Sequence, residues 1–197
     1  GSGAEHSIAG LETTYAMFHG IKVVCPHKVY DAKGLMAAAL RDGAPVAYMN
    51  YSSEASADIP DEPYVVPIGK AQILKEGSDI TIATWGPASI QVEQALPLLE
   101  KEGIKAEYFD PRTLKPFDDE TLAKSVTKTK RLLVVSHGHF TNDFSAHILA
   151  SAAENVPGAK FRRITFPDTV SIAAPATVEW MTPNAPKIVD AAKKLIG

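Results

Sequence analysis

Imidazole is the side chain best suited to move a proton or hold a transition metal near neutral pH, and three of the six histidines stand together in SHGHFTNDFSAH, at His137, His139 and His147. The RLLVVS run before them reads as a buried strand and Asn142 to Glu154 as a helix, so His137 and His139 would follow a strand while His147 projects from a helix. Convergence on one zinc ion is geometrically open, although the spacing matches no known ligand pattern. A strand-to-helix turn capped by Asn142 or Asp143 accounts for the same residues without a metal and is the favoured reading. Arg112, in DPRTLKPFD, follows a strand at the carboxyl edge where α/β sheets place ligands. Its guanidinium could pair with an anionic group or a partner carboxylate; fixing the turn before Asp118 is the favoured use. Cys25 is the one cysteine, which excludes an internal disulfide, favours a reducing compartment and suits a small buried hydrophobe. His19 and His27 are expected on the surface or in loops.

The elements that must position these groups are written most clearly from Asp79 to Val126. An apolar run (Ile80 to Thr84), a turn at Trp85-Gly86-Pro87, an amphipathic stretch (Ser89 to Glu102) closed by Gly103, a second apolar run and a second amphipathic stretch make a βαβα unit. The second helix opens at Asp118-Asp119-Glu120, carboxylates near the positive end of its dipole, and ends in the basic run Lys128 to Arg131. Pro97 lies inside the first helix, where a kink or restart is expected. Strands at Arg131 to Ser136 and Lys160 to Thr165 and a last helix from Pro186 to Ile196 complete a doubly wound, mostly parallel α/β domain over residues 64–197. Tyr64 to Ala71 reads as an edge-type extended segment, with Gln72 to Glu76 pairing with it or with the first central strand.

Upstream, residues 5 to 20 predict a short helix with Leu11, Tyr15 and Phe18 on one face, stopped at Gly20. Ile21 to Cys25 predicts a strand, Tyr30 to Arg41 a helix burying Leu35, Ala38 and Ala39, and Pro45 to Tyr51 another strand. A parallel pair must be covered on both faces, so residues 1–51 are an incomplete α/β domain whose sheet is finished by another chain or by polypeptide upstream. The polar stretch SSEASADIPDEP, residues 52–63, is the connector. With 197 residues, 45% of them hydrophobic, and a net charge of −3 from interspersed charges, the chain has neither the footprint of a nucleic-acid binder nor a polybasic membrane patch. No apolar run reaches membrane-spanning length, and GSGAEHS lacks the regions of a signal peptide. Proteins and small molecules are the expected partners.

The ordered set YDAKGL, RD, VPIGKA, DPRTLKPFD and PD, carried in GIKVVCPHKVYDAKGLMAAALRDGAPVAYMNY and the segments after it, resembles the beta subunit of thiamine-diphosphate-dependent 2-oxoacid dehydrogenases of the pyruvate and branched-chain type. The resemblance covers nearly the whole chain. It implies that residues 1–51 are the second half of a pyrimidine-binding domain and 64–197 a transketolase C-terminal domain. It also implies oxidative decarboxylation of a 2-oxoacid with acyl transfer to lipoyl-lysine, in an assembly of alpha subunits, a second beta subunit and a lipoyl acyltransferase core, located in the bacterial cytoplasm or the mitochondrial matrix. Thiamine diphosphate would supply the carbanion chemistry, shared with the alpha subunit, which would hold the pyrophosphate and its magnesium. No Gly-Asp-Gly phosphate motif occurs here, and the family's activating glutamate falls upstream of Gly1. The isolated chain is therefore expected to be inactive.

By the same resemblance His6, in GAEHS, is similar to the family's active-site histidine, which serves proton transfer. Ala39, Leu40, Asp42 and Ala44, in AALRDGAP, match a potassium-binding turn built from carbonyls at a helix end and one aspartate. The plain alternative is a helix-to-strand turn at Asp42-Gly43, and Ala44 stands where the family often has Asn. The histidine-rich stretch resembles an EAHxTGGFGAE pattern in which only His139, Thr141, Phe144 and Ala146 agree. Lys187, Lys193 and Lys194 on the last helix are expected to form a solvated face, near where the acyltransferase core would dock. Two alternatives stand beside this reading: half of a transketolase-like sugar-phosphate enzyme, or a non-catalytic binding module.

Overall fold

The computed structural model describes residues 10–51, 59–170 and 174–197; the candidate histidine His6 lies outside them, as does most of the connector. In chain order the elements are α1 (Leu11–Ala16), β1 (Lys22–Val24), α2 (Val29–Ala39), β2 (Val46–Tyr48), β3 (Gln72–Lys75), β4 (Ile80–Thr84), α3 (Ala88–Lys101), β5 (Ala106–Asp110), β6 (Thr113–Lys115), α4 (Asp119–Thr129), β7 (Arg131–His139), α5 (Phe144–Asn155), β8 (Lys160–Phe166), α6 (Pro175–Met181) and α7 (Ala185–Ile196). They form a five-stranded sheet in the order β3-β5-β4-β7-β8 and a three-stranded sheet in the order β2-β1-β6.

The five-stranded sheet is parallel except for β3, and its central strands β4 and β5 are buried at every position because both faces are covered. Alternation sorts the residues. Ile80, Ile82, Tyr108, Leu133 and Val135 meet α3 and α7 on one face, while Ala83, Phe109, Leu132 and Val134 meet α4 and α5 on the other. On α3 the buried positions Ala88, Val92, Ala95 and Leu99 repeat at helical spacing. The helix runs uninterrupted through Pro97, because that ring lies on the solvent side, where the carbonyl it deprives of a partner can turn to water. The expected restart does not occur. Asp118 caps α4 as its charge pattern requires, its Oδ1 accepting the Thr121 N–H at 3.2 Å.

Two strand assignments differ from expectation. Strand β3 pairs antiparallel with β5, not with the preceding segment or with β4, since both edges of β4 are taken by β5 and β7. Residues 64–71 join no sheet. The first of them lie along α2, where the Val66 N–H donates to the Gly34 carbonyl at 3.1 Å and Val66 packs with Leu35 and Val24, while the Gly69 and Ala71 N–H groups bond Thr113 and Asp118. A Cβ on Gly34 would stand 2.4 Å from Val66 Cγ2, so glycine is what allows this approach.

The first sheet is the more informative. Strand β1 pairs parallel with β2, and its other edge is filled by β6, three residues borrowed from the loop after β5 and running antiparallel. Val23 and Cys25 accordingly share a core with Phe109, Leu114, Leu122 and Val134. The outer edge of β2 has no partner strand among the described residues. Exposed apolar side chains gather on this half: Met17 at 74%, Phe18 at 54% and Leu40 at 79%. Of the face that carries Leu11, Tyr15 and Phe18, the two aromatic rings stand exposed, and the residue α1 buries is Glu12.

Candidate functional site

In an open α/β sheet the ligand crevice lies where successive connections leave in opposite directions. Here the path from β4 through α3 reaches β5 on one side, and the path through α4 returns to β7 on the other, so the crevice opens at the carboxyl ends of β4 and β7. It is filled by the chain itself. Helix α1 lies across it, with Glu12 Oε1 accepting the indole N–H of Trp85 at 2.8 Å, just after β4, and Oε2 accepting the Tyr51 hydroxyl at 3.0 Å. Thr13 Oγ1 accepts the Phe144 N–H at the start of α5, and Gly10 comes so close that a Cβ there would stand 3.3 Å from Gly138 Cα. Glu12 escaped the periodicity argument because its burial is polar in origin. The signal for it was Trp85: a buried indole requires an acceptor for its N–H.

A second polar group lies at the seam between the two sheets, at the ends of β1 and β5. The guanidinium of Arg112 reaches Asp31 of α2 at 2.7 Å and also bonds Gln72, so its partner carboxylate lies within the chain. Its backbone N–H bonds Asp110 Oδ1 at 2.9 Å, and its carbonyl accepts the Cys25 N–H at 2.8 Å. Asp110 is fully buried, and that burial pushes its carboxyl up to about 7. Burial, with Glu12 and Asp110 nearby, likewise pushes the Cys25 thiol well up, as befits an inert core residue. His27, expected on the surface or in a loop, lies in the loop after β1 but is only 1% exposed, with Nε2 3.0 Å from Glu93 Oε1; Lys28 Nζ reaches the same oxygen at 2.7 Å.

The three clustered histidines do not converge. His137 stacks on Phe166, its burial pushing it down to about 4; His139 Nδ1 bonds the Pro167 carbonyl at 2.8 Å; His147 packs against Phe117 and Phe144. Among the described residues no group of three or more His, Cys, Asp or Glu side chains is placed to hold a metal ion. Asp143 caps α5, as the capped-turn reading requires, and Asp168 bonds the Thr141 N–H and hydroxyl, tying this turn to the segment after β8.

Ala39, Leu40, Asp42 and Ala44 do come together at the end of α2. Lys22 Nζ binds the Asp42 carboxylate at 2.6 Å and holds it below the usual range, and the Asp42 N–H takes the Ala39 carbonyl at 3.3 Å. The Asp42 carboxylate is not free, since Lys22 takes one of its oxygens and the Ala44 N–H the other at 3.4 Å. Nor do the described residues fit the diphosphate and magnesium of thiamine diphosphate, since the switch-point crevice is occupied by α1 and no carboxylate cluster stands free.

The transketolase C-terminal domain family matches residues 69–188, more than half of the chain. The chain belongs to that family. Outside this domain the similarity continues. The pyruvate dehydrogenase E1 component subunit beta of Acholeplasma laidlawii is 37% identical over 176 residues, covering 86% of this chain and 54% of its own length. The acetoin:2,6-dichlorophenolindophenol oxidoreductase subunit beta of Bacillus subtilis (strain 168) is 33% identical over 199 residues, covering 98% of this chain and 58% of its own. Among solved structures, a split-gene transketolase described as an inactive beta4 tetramer superposes with a TM-score of 0.83 at 22% identity, over 98% of this chain and 63% of that one. This transketolase C-terminal domain, with the sheet before it, thus spans a little over half the length of the relatives it matches. No helix among the described residues is long and apolar enough to cross a membrane.

Proposed function

We propose that the chain is the C-terminal part of a beta subunit of a thiamine-diphosphate-dependent 2-oxoacid dehydrogenase, divided into a partial pyrimidine-binding domain (1–51), a connector (52–63) and a transketolase C-terminal domain (64–197). The observation that carries this is that similarity to a pyruvate dehydrogenase E1 beta subunit, that of Bacillus subtilis (strain 168), extends over 94% of the chain, well ahead of residue 69 where the C-terminal domain match begins. In the assembled enzyme it contributes His6 for proton transfer near a cofactor held, with its magnesium, by the alpha subunit. Pyruvate or a related 2-oxoacid is the substrate, and lipoyl-lysine of the acyltransferase core takes the acyl group.

The chain's own task is assembly. The open edge of β2 and the exposed Met17, Phe18 and Leu40 suit burial against further subunit surface, and so do Phe140, Val178 and Trp180, the last 62% exposed beside a hollow of about 490 Å³. Contacts with a second beta subunit and with alpha subunits meet that need. Calorimetry with thiamine diphosphate and magnesium tests the reading: no saturable heat from the chain alone, and binding once an alpha subunit and the upstream beta residues are co-purified. Cofactor binding by the chain alone overturns it.

A further inference from the structure

Five side chains on the α3 face of the five-stranded sheet are almost wholly withdrawn from solvent, and each keeps a polar atom without a protein partner. They are Thr84 Oγ1, Ser89 Oγ, Tyr108 Oη, Asp110 Oδ2 and His27 Nδ1. The sheet brings them together. Ile82 pairs with Tyr108 and Ala83 with Phe109, so the next step along the parallel pair sets Thr84 level with Asp110 on the face that carries Ile82 and Tyr108. Ser89 opens α3 above that face, one turn before Glu93, whose carboxylate holds His27 Nε2. Ser89 also stands close enough to Tyr108 to temper the burial that raises the phenol, yet the two hydroxyls do not meet in hydrogen-bond geometry.

An unpaired buried hydroxyl or carboxyl is costly, and native interiors answer it with a protein partner or with ordered water. The nearest cations, Lys28 and Arg112, are already paired with Glu93 and Asp31, so the occupant that suits donors and acceptors of both kinds is neutral and small. A carboxylate can only accept, so His27 Nε2 donates to Glu93, and Nδ1 is the ring nitrogen left for a further partner. We infer that these groups form a bound-water site, holding a small cluster of water molecules that bridges the loop after β1 to the carboxyl ends of β4 and β5. Glu93, with its side chain 36% exposed, connects the group to solvent.

The sign of three near-isosteric substitutions tests it. Where water completes the bonds, Thr84→Val, Ser89→Ala and Tyr108→Phe each remove one partner, and Tm falls by about 2 to 4 °C apiece. Where the hydroxyls are dry and unpaired, the same changes remove a penalty and raise Tm, which overturns the inference. Water-to-amide cross-relaxation in the labelled wild-type chain supplies the direct reading: long-lived cross-peaks are expected at Ser89 and Asp110. A fall in Tm without those cross-peaks also overturns it, since the hydroxyls would then be bonding one another.

Discussion

Replacing Asp110 by asparagine should change how stability depends on pH. The side chain is fully buried on β5, with Arg112, Asp31 and Lys28 as its charged neighbours, and its carboxyl rises from 3.8 to about 7. Folded protein then binds a proton that unfolded chain releases between those values, so this residue's stabilisation is complete below about pH 4, falls as pH climbs, and is gone above about 7. A rise of about three pH units at about 1.4 kcal/mol each is about 4 kcal/mol in all, of which about 3 kcal/mol is lost between pH 5 and pH 8. Asparagine, of the same shape and uncharged throughout, lacks that slope. Urea unfolding of both proteins at pH 5 and pH 8 reads the difference directly: Asp110→Asn should gain on the wild type by about 3 kcal/mol over that interval. Parallel pH dependences would show that Asp110 stays ionised, and the desolvation reasoning would fail.

Three further outcomes follow from particular contacts. Gly77→Ala places a Cβ 2.3 Å from the Ala106 carbonyl carbon and the Glu107 nitrogen, backbone atoms that cannot step aside, so chemical denaturation should report a loss of about 3 kcal/mol or failure to fold. Glu12→Ala strips Trp85 and Tyr51 of their acceptor; a loss of about 2 to 4 kcal/mol with a shift in tryptophan emission is expected, and an unchanged emission spectrum would argue against the bond. Lys128→Met removes the cation that bonds the buried Glu107 and should cost about 3 kcal/mol in thermal unfolding. Lys124→Met, which breaks an exposed pair with Glu120, should leave the unfolding midpoint nearly unchanged, and equal losses would contradict the burial argument.

The parts of the fold that were legible are those where local chemistry and tertiary packing agree. Strand β4, the cap at Asp118 and the faces of α3 and α4 follow from period and charge, because both faces of the parallel sheet needed apolar cover. The parts that were not legible depend on distant partners. Strand β6 is three residues with no pattern of its own, made a strand only by the free edge of β1. Glu12 sits where amphipathic spacing calls for a hydrophobe, and its burial is explained by Trp85, far along the chain. Arg112 was placed at the right edge of the sheet with a carboxylate pairing as one of its readings, but which carboxylate was not legible: it is Asp31, whose first-turn position alone gave no hint of that pairing. The histidine-rich turn shows the reverse. Residues that look like a ligand set in one dimension are separated by the stack of His137 on Phe166 and the seat of His147 among aromatics.

Strand β6 also fixes an order of events. During synthesis β1 and β2 emerge before the other described strands, but the residues that close the second edge of β1 come only after β5 is complete, so that edge has to wait, unsheathed, for sequence still inside the ribosome. For the same reason a protease cut between Tyr51 and Tyr64 should yield two pieces that stay together through gel filtration, since the later piece carries a strand belonging to the earlier one. The connector is a seam in the sequence and not in the architecture.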